Sequence, residues 1–183
     1  MAFVETEIKG VWHIVPVRHG DSRGYFTEVF KQAEFEQIVG PVQFVQDNES
    51  YSTRGVVRGL HFQSGEWSQA KLVRVSLGEV LDVAVDLRAG SPTYGRHVSQ
   101  VLSASEGNQL FIPRGFAHGF AVLSAEAQFQ YKVDNVYAPQ AEVTLRFDDP
   151  DLGIDWCIKP EEMLLSAKDL HGIPLKDIKP FEI

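Results

Sequence analysis

The sequence predicts an all-β fold, a sandwich or barrel with a few short helices placed mainly towards the C-terminus. Three observations carry that expectation. Short segments rich in Val, Ile, Phe and Tyr recur along most of the chain, each of strand rather than helix length. Turn-forming clusters separate them, among them Gly78-Glu79, Gly90-Ser91-Pro92, Ser105-Glu106-Gly107, Pro113-Arg114-Gly115 and Asp148-Asp149-Pro150; Gly and Pro supply the backbone angles that reversals require. Several segments also alternate. In Gly78–Asp86, Val83 and Val85 fall on one face and Asp82, Ala84 and Asp86 on the other, the period of a pleated strand.

The elements follow in order. Val11–Val17 is apolar and β-branched, and Asp21-Ser22-Arg23-Gly24 reads as a turn. Lys31–Val39 reads as a short helix ended by Gly40-Pro41, a pair that cannot continue it. Strands are then expected at Val42–Glu49, Val56–Phe62, Lys71–Leu77, Val80–Leu87, Val98–Leu102, Gln109–Ile112, Gly119–Leu123, Ala127–Val133 and Glu142–Phe147. In Ala127–Val133, Phe129, Tyr131 and Val133 share a face, so Tyr131 points inward and Lys132 to solvent. A one-residue bulge would reverse any such assignment. The tail from Pro160 reads as helical turns and loops laid over the sheet. No repeat, linker or low-complexity stretch divides the chain, and 183 residues suit one domain over residues 1–183.

Composition narrows the function. The formal net charge of −8 argues against non-specific binding to nucleic acid or anionic membrane, so any phosphate site must be a local basic cluster. The single cysteine, Cys157, excludes an internal disulfide. Met1–Lys9 has no apolar signal-peptide core, and no apolar run reaches the roughly 20 residues of a membrane span. A cytoplasmic protein is expected.

The chemistry-bearing stretch is Gly55–Gln63, followed by Lys71–Val75. Alternation places Gly59, His61 and Gln63 on one face, and Lys71 on an otherwise apolar face with Val73 and Val75. A base and a cation aimed into an apolar interior suit proton removal beside a carbonyl, the cation holding the enolate oxygen. A lone histidine between Leu60 and Phe62 is more often a satisfied core or surface residue; Arg58 and Lys71 nearby add weight to the functional reading, because inward cations are costly unless an anion completes the site. Lys71 is otherwise a snorkelling lysine at a strand start. Asp82 is either a carboxylate that keeps Lys71 charged or an outward residue of an exposed sheet. Tyr131 is either a half-buried aromatic or an acid that returns a proton from the face opposite the base. Asp169 closes a capping box in Ser166-Ala167-Lys168-Asp169, or binds the distal nitrogen of His61 and raises its basicity. Arg23, Arg58 and Lys168 are candidate phosphate contacts. Gln46, Asn48, Glu28 and Glu142 are candidate sugar or base contacts, and Tyr137 offers a flat surface to either.

Taken together these residues resemble the dTDP-4-dehydrorhamnose 3,5-epimerase family, from about Val11 to Leu175. The carrying segments include Asp21-Ser22-Arg23-Gly24-Tyr25-Phe26 with Glu28, Gln46-Asp47-Asn48, Arg58-Gly59-Leu60-His61-Phe62-Gln63, Lys71-Leu72-Val73, Ile112–Phe120, Tyr131-Lys132, Tyr137 and Leu165–Asp169. The resemblance implies a cupin-like jelly roll, a homodimer, no metal and no cofactor. It implies dTDP-4-dehydro-6-deoxy-glucose, an intermediate of L-rhamnose synthesis, as substrate. By the same resemblance His61 is the proton acceptor with Asp169 as its partner, Lys71 steadies the enolate and Tyr131 returns the proton. Arg23, Glu28, Gln46, Asn48, Arg58, His118, Glu142 and Lys168 match nucleotide- or sugar-binding positions, and Tyr137 a stacking one. An N-terminal segment is expected to cross to the neighbouring subunit, so that Arg23 or Glu28 serves the partner's site.

His97, Cys157 after Trp156, and His171-Gly172 after Asp169 depart from the family's usual residues. Relatives that invert one centre only, a metal-dependent cupin and a non-catalytic nucleotide-sugar binder are the competing readings. A metal would be expected to use a close His-x-His pair, and Gln63 stands where the second histidine of such a pair would be.

Overall fold

The structure, a computed structural model, describes residues 1–182. Its strands are β1 (Ala2–Glu5), β2 (Trp12–Val15), β3 (Arg18–Asp21), β4 (Gly24–Thr27), β5 (Gln46–Thr53), β6 (Val57–Gln63), β7 (Lys71–Leu77), β8 (Glu79–Asp86), β9 (His97–Ser103), β10 (Gln109–Ile112), β11 (Phe116–Val122), β12 (Glu126–Val133) and β13 (Glu142–Thr144). Two helices, α1 (Gln32–Ile38) and α2 (Ala167–Leu170), and short 3-10 turns such as Pro160–Glu162 and Leu175–Asp177 complete it.

The strands form a six-stranded sheet ordered β1-β2-β10-β7-β12-β5, a five-stranded sheet ordered β13-β6-β11-β8-β9, and the β3-β4 hairpin. From β5 to β12 the chain behaves as a long folded ribbon. The first strand of that run pairs with the last, β5 with β12; then β6 pairs with β11, β7 with β10, and β8 with β9. That is the strand order of a jelly roll. The sequence expectation of an all-β jelly roll with short, mainly C-terminal helices therefore stands.

Each sheet buries apolar side chains for a stated reason. Between the sheets, Val73, Val75, Leu110 and Phe129 meet Ala84, Val98, Leu102, Phe116 and Phe120. The outer face of the five-stranded sheet is equally apolar, because Val83, Val85, Ala117 and Ala121 pack beneath Leu145, Leu152, Trp156 and Ile178 of the chain that follows β13. The outer face of the six-stranded sheet carries α1, whose Phe35 lies edge-on to Phe111 with ring centroids 5.1 Å apart.

Three local differences from the sequence reading have physical causes. The segment Ala2–Glu5 is an edge strand with largely exposed side chains, so it lacks the pattern of a half-buried strand. The arms of the β3-β4 hairpin are likewise exposed, β3 being polar and β4 carrying Tyr25 and Phe26 outward, although the turn between them is where the sequence places it. Strand β5 begins at Gln46 rather than Val42, because Val42 and Phe44 turn away to pack on the α1 cluster.

The feature that shapes the site is a bulge in β6. His118 of β11 faces His61, but Phe120 faces Arg58, so three steps along β6 match two along β11. The bulge reverses the alternation. Arg58 would otherwise share the outer face of Leu60 and Phe62; instead it joins His61 on the inner face. Two glycines allow this. A Cβ at Gly119 would come 2.6 Å from the Arg58 carbonyl oxygen, and one at Gly59, where φ is +122°, would come 2.6 Å from the Gly119 Cα. Gly119→Ala is therefore expected to separate β6 from β11 and cost about 2 kcal/mol or more. Urea unfolding checks this, and a midpoint equal to that of the parent protein would contradict it.

Candidate active site

The space between the two sheets opens at one end into a cavity of about 720 Å³. Strand β6 contributes His61 and Arg58, β11 contributes His118, and β13 contributes Glu142; from the facing sheet come Lys71 of β7, Tyr131 of β12, and Gln46 and Asn48 of β5. The loop residue Tyr137 and the α2 residues Lys168 and Asp169 close the rim. All four proposed catalytic side chains thus meet in one cavity, although Asp169 lies more than a hundred residues from His61 in sequence.

His61 Nε2 lies 2.7 Å from Asp169 Oδ1. The ring N–H is not aligned for a straight hydrogen bond, so the contact is first an electrostatic one. The sequence left Asp169 as either a helix cap or a histidine partner, and it is both. Oδ1 meets His61 and accepts the Gly59 N–H at 3.2 Å. Oδ2 accepts the Ser166 hydroxyl at 2.6 Å and the Ser166 N–H at 3.3 Å, while Ser166 Oγ accepts the Asp169 N–H, a reciprocal capping box. Burial pushes the Asp169 carboxyl up, but His61, Ser166 and the Gly59 N–H outweigh it and hold the group at about 2. Asp169 is therefore a permanent anion behind the imidazole at neutral pH.

Lys71 faces the cavity without an ion pair among the described residues. Burial lowers its ammonium to about 8 against the pull of Asp82 and Glu142, so it remains charged at neutral pH with its donors free for an incoming oxygen. Tyr131, also without a hydrogen-bond partner among the described residues, is raised above the usual phenol range by burial, so it keeps its proton. It enters from the six-stranded sheet, its register neighbours being Asn48 and Val73, whereas His61 enters from the five-stranded one.

The rim is polar and cross-linked. Lys168 Nζ lies 2.7 Å from Glu142 Oε1, and the Tyr137 hydroxyl donates to Glu142 Oε2 at 3.1 Å. Gln46 Nε2 donates to Asn48 Oδ1 at 2.8 Å, and Arg58 Nε donates to Ser52 Oγ at 3.1 Å. His118 is buried, with Nε2 2.9 Å from Asp82 Oδ2. Asp82 itself is wholly buried; the reading of it as an outward residue of an exposed sheet is corrected, because the outer face of β8 is the one formed by Leu81, Val83 and Val85.

Arg23 and Glu28 do not reach this cavity. Arg23 is 88% exposed in its side chain and pairs with Asp21 at 2.6 Å, and Glu28 is exposed. Conversely, Ser50, Gln69 and Leu164 line the cavity and were not read from the sequence. Ser50 was legible, since it shares the alternation of Gln46 and Asn48 along β5. Leu164 was not, because it is placed by a parallel bridge to Val56. Gln63 donates to the Trp67 and Val136 carbonyls and accepts the Ala138 N–H, so its amide holds backbone together. Among the described residues no three His, Cys, Asp or Glu side chains are grouped as a metal site would need.

The sequence profile of the family described as dTDP-4-dehydrorhamnose 3,5-epimerase matches residues 5–177. The chain belongs to the dTDP-4-dehydrorhamnose 3,5-epimerase family. It is 48% identical over 182 residues to the dTDP-4-dehydrorhamnose 3,5-epimerase of Shigella flexneri, with 99% of each chain covered. A crystal structure of the enzyme from Elizabethkingia anophelis NUHP1 superposes with a TM-score of 0.93 at 48% identity, covering 97% of each chain. A dTDP-6-deoxy-D-glucose-3,5-epimerase from Legionella pneumophila Philadelphia 1, solved in complex with dTDP-4-keto-L-rhamnose, also gives 0.93, at 46% identity and with 97% of this chain and 94% of that one covered. As a dTDP-4-dehydrorhamnose 3,5-epimerase family member the protein is an isomerase, and the resemblance drawn from its motifs stands. Among its described residues no helix is long and apolar enough to cross a membrane.

The Asp169 anion also contributes to stability in acid. Its folded pKa of about 2 lies below the ordinary 3.8, so its contribution is complete above about pH 4 and is lost as pH falls towards 2, about 2 kcal/mol in all. Asp169→Asn is expected to flatten the acid limb of the stability curve in that window. Chemical unfolding from pH 5 to 2 reads this, and parallel curves for the two proteins would contradict it.

Proposed function

We propose that the protein converts dTDP-4-dehydro-6-deoxy-D-glucose to dTDP-4-dehydro-L-rhamnose by inverting C3 and C5. One observation carries this reading: a paired imidazole and a protonated phenol enter one cavity from facing sheets, with a free ammonium beside them. A C4 ketone acidifies the hydrogens on both neighbouring carbons. His61, backed by the Asp169 anion, takes the C–H proton, and the bonding pair moves into the ring to leave an enolate oxygen at C4. Lys71 donates to that oxygen, where charge develops. Tyr131 gives its proton to the carbon from the opposite side, so the centre inverts; solvent then reprotonates the phenolate and takes the proton from His61. The same sequence at the second carbon completes the reaction. The substrate's own ketone supplies the electron sink, so the step draws on no redox cofactor or metal.

The rim suits the nucleotide. Arg58 and Lys168 offer cationic donors to the diphosphate, Tyr137 a face for the base or sugar, and Gln46, Asn48 and Glu142 hydrogen bonds; His118 lines the inner wall towards the sugar. A cytoplasmic location follows from the use of a nucleotide sugar.

Arg23 and Glu28 act, on this reading, in a neighbouring subunit. The hairpin that carries Arg23 leaves Tyr25 60% and Phe26 67% exposed, apolar surface of the kind an interface covers. The protein is a homodimer in which each N-terminal hairpin completes its partner's site.

Incubation with the 4-keto nucleotide sugar in heavy water, followed by proton NMR, is expected to show deuterium at both C3 and C5. His61→Ala should lose about 10²-fold or more in turnover while binding dTDP as the parent does. Tyr131→Phe should exchange protons without net inversion. Label at one carbon only would reduce the reading to a single epimerase, and no label with folded protein would reject it. The dimer has its own test. Mixing inactive His61→Ala with inactive Arg23→Ala should restore roughly a quarter of full activity, since half the dimers then hold one intact site. No recovery after subunit exchange would place Arg23 in its own chain's site.

A further inference from the structure

Beneath the cavity floor lies a carboxylate that the reaction above does not use. Asp82 has no solvent exposure. It sits on the inner face of β8, in register with Phe120 of β11, which in turn faces Arg58. Oδ2 is 2.9 Å from His118 Nε2; Oδ1 has no partner. A buried carboxylate oxygen without a donor is costly unless a cation lies near it.

Among the described residues no direct bond joins Asp82 to Lys71, but the other charged groups around Lys71 are already engaged. Glu142 is held by Lys168 and Tyr137, and Asp169 by His61, Gly59 and Ser166. Arg58 is held by Ser52 and the Tyr51 carbonyl. What remains is one carboxylate oxygen, Asp82 Oδ1, and one ammonium, Lys71 Nζ, both on inner faces of opposite sheets.

We propose that Asp82 is a positioning residue of the active site: its buried charge keeps Lys71 in the ammonium form and fixes His118 as the tautomer protonated on Nε2. The inference rests on the epimerase reading for its consequence in turnover, though not for its electrostatics. Lys71 is the group that must donate to the enolate oxygen, and burial alone works against its charge. Asp82 is the strongest influence restoring it, ahead of Glu142, while Lys168 opposes. His61 and His118, from β6 and β11, and Tyr131, from β12, complete the titratable groups at the cavity. With Nε2–H given to Asp82, Nδ1 of His118, a residue that lines the cavity, is left unprotonated, an acceptor for a sugar hydroxyl.

The test is Asp82→Asn, which keeps size and an oxygen that can accept from His118 but removes the charge. The Lys71 titration, followed by carbon-13 NMR of the lysine Cε, is expected to move down from about 8 by about one unit or more, a tenfold change in the protonation equilibrium. The alkaline limb of kcat should move with it, with KM little changed below pH 7. In His118→Gln the carboxylate remains, and the Lys71 titration should stay where it is or rise. A purely structural Asp82 would lower the melting temperature and leave the titration in place; that result, or a downward shift in His118→Gln, overturns the proposal. Should Asp82→Asn fail to fold, the His118→Gln titration still decides, as a fall there rejects the inference. The NMR readout needs no turnover, so its failure is distinct from an absence of deuterium exchange by the parent enzyme.

Discussion

The carboxylate of Asp169 is the constraint on which the site depends. One oxygen closes the first turn of α2 through Ser166, and the other meets β6 at His61 and the Gly59 N–H. A single side chain therefore caps α2, fastens the tail to the five-stranded sheet and holds an anion against the His61 imidazole. The flanking backbone bonds, Val57 to Leu164 and Arg146 to Ile173, hold the same seam. With the seam in place, the tail covers apolar surface that an ordinary two-layer sandwich would leave wet, and the cavity gains its closed side.

The interior so enclosed is charged in a way that a stability argument alone would not favour. Ionisable groups buried in a protein cost free energy unless each finds a complement. Here the complements are arranged in pairs: His61 with Asp169, His118 with Asp82, Lys168 with Glu142. Lys71 and Tyr131 are left without direct partners on the facing sheet. That asymmetry is chemically useful. His61 and the rim are held still by their own partners, while Lys71 and Tyr131 keep their donors free, as the proposed reaction requires of them. The jelly roll makes the division possible because its two sheets present separate faces to one space.

Much of this was legible in the residues. The strands from β6 to β12 follow alternation and turn chemistry, and Lys71–Leu77 and Gln109–Ile112 begin and end where the pattern places them. The inward course of Tyr131 and Lys71 follows from the same period of two. The pattern misjudged the start of β11, which runs from Phe116 rather than Gly119 and is buried throughout, and it missed edges: β1 and the hairpin arms lack a buried face, so they carry no apolar alternation to read. The resemblance to a known family reached further than pattern, joining His61 to Asp169 across the chain, a pairing no local period contains.

The sequence by itself determined the strand order's raw material, the acidic balance that confines cations to local clusters, and the residue types needed for proton transfer beside a ketone. Only the tertiary structure decided which faces they share. The bulge between Gly59 and Gly119 turns Arg58 inward against the local alternation, because a two-residue period cannot announce an inserted residue. Asp82 proves to be buried beneath His118 rather than exposed, since both faces of β8 are covered once the tail is laid down. Arg23 and Glu28 stand away from the cavity, because a hairpin tethered at its base is placed by packing and not by its own sequence.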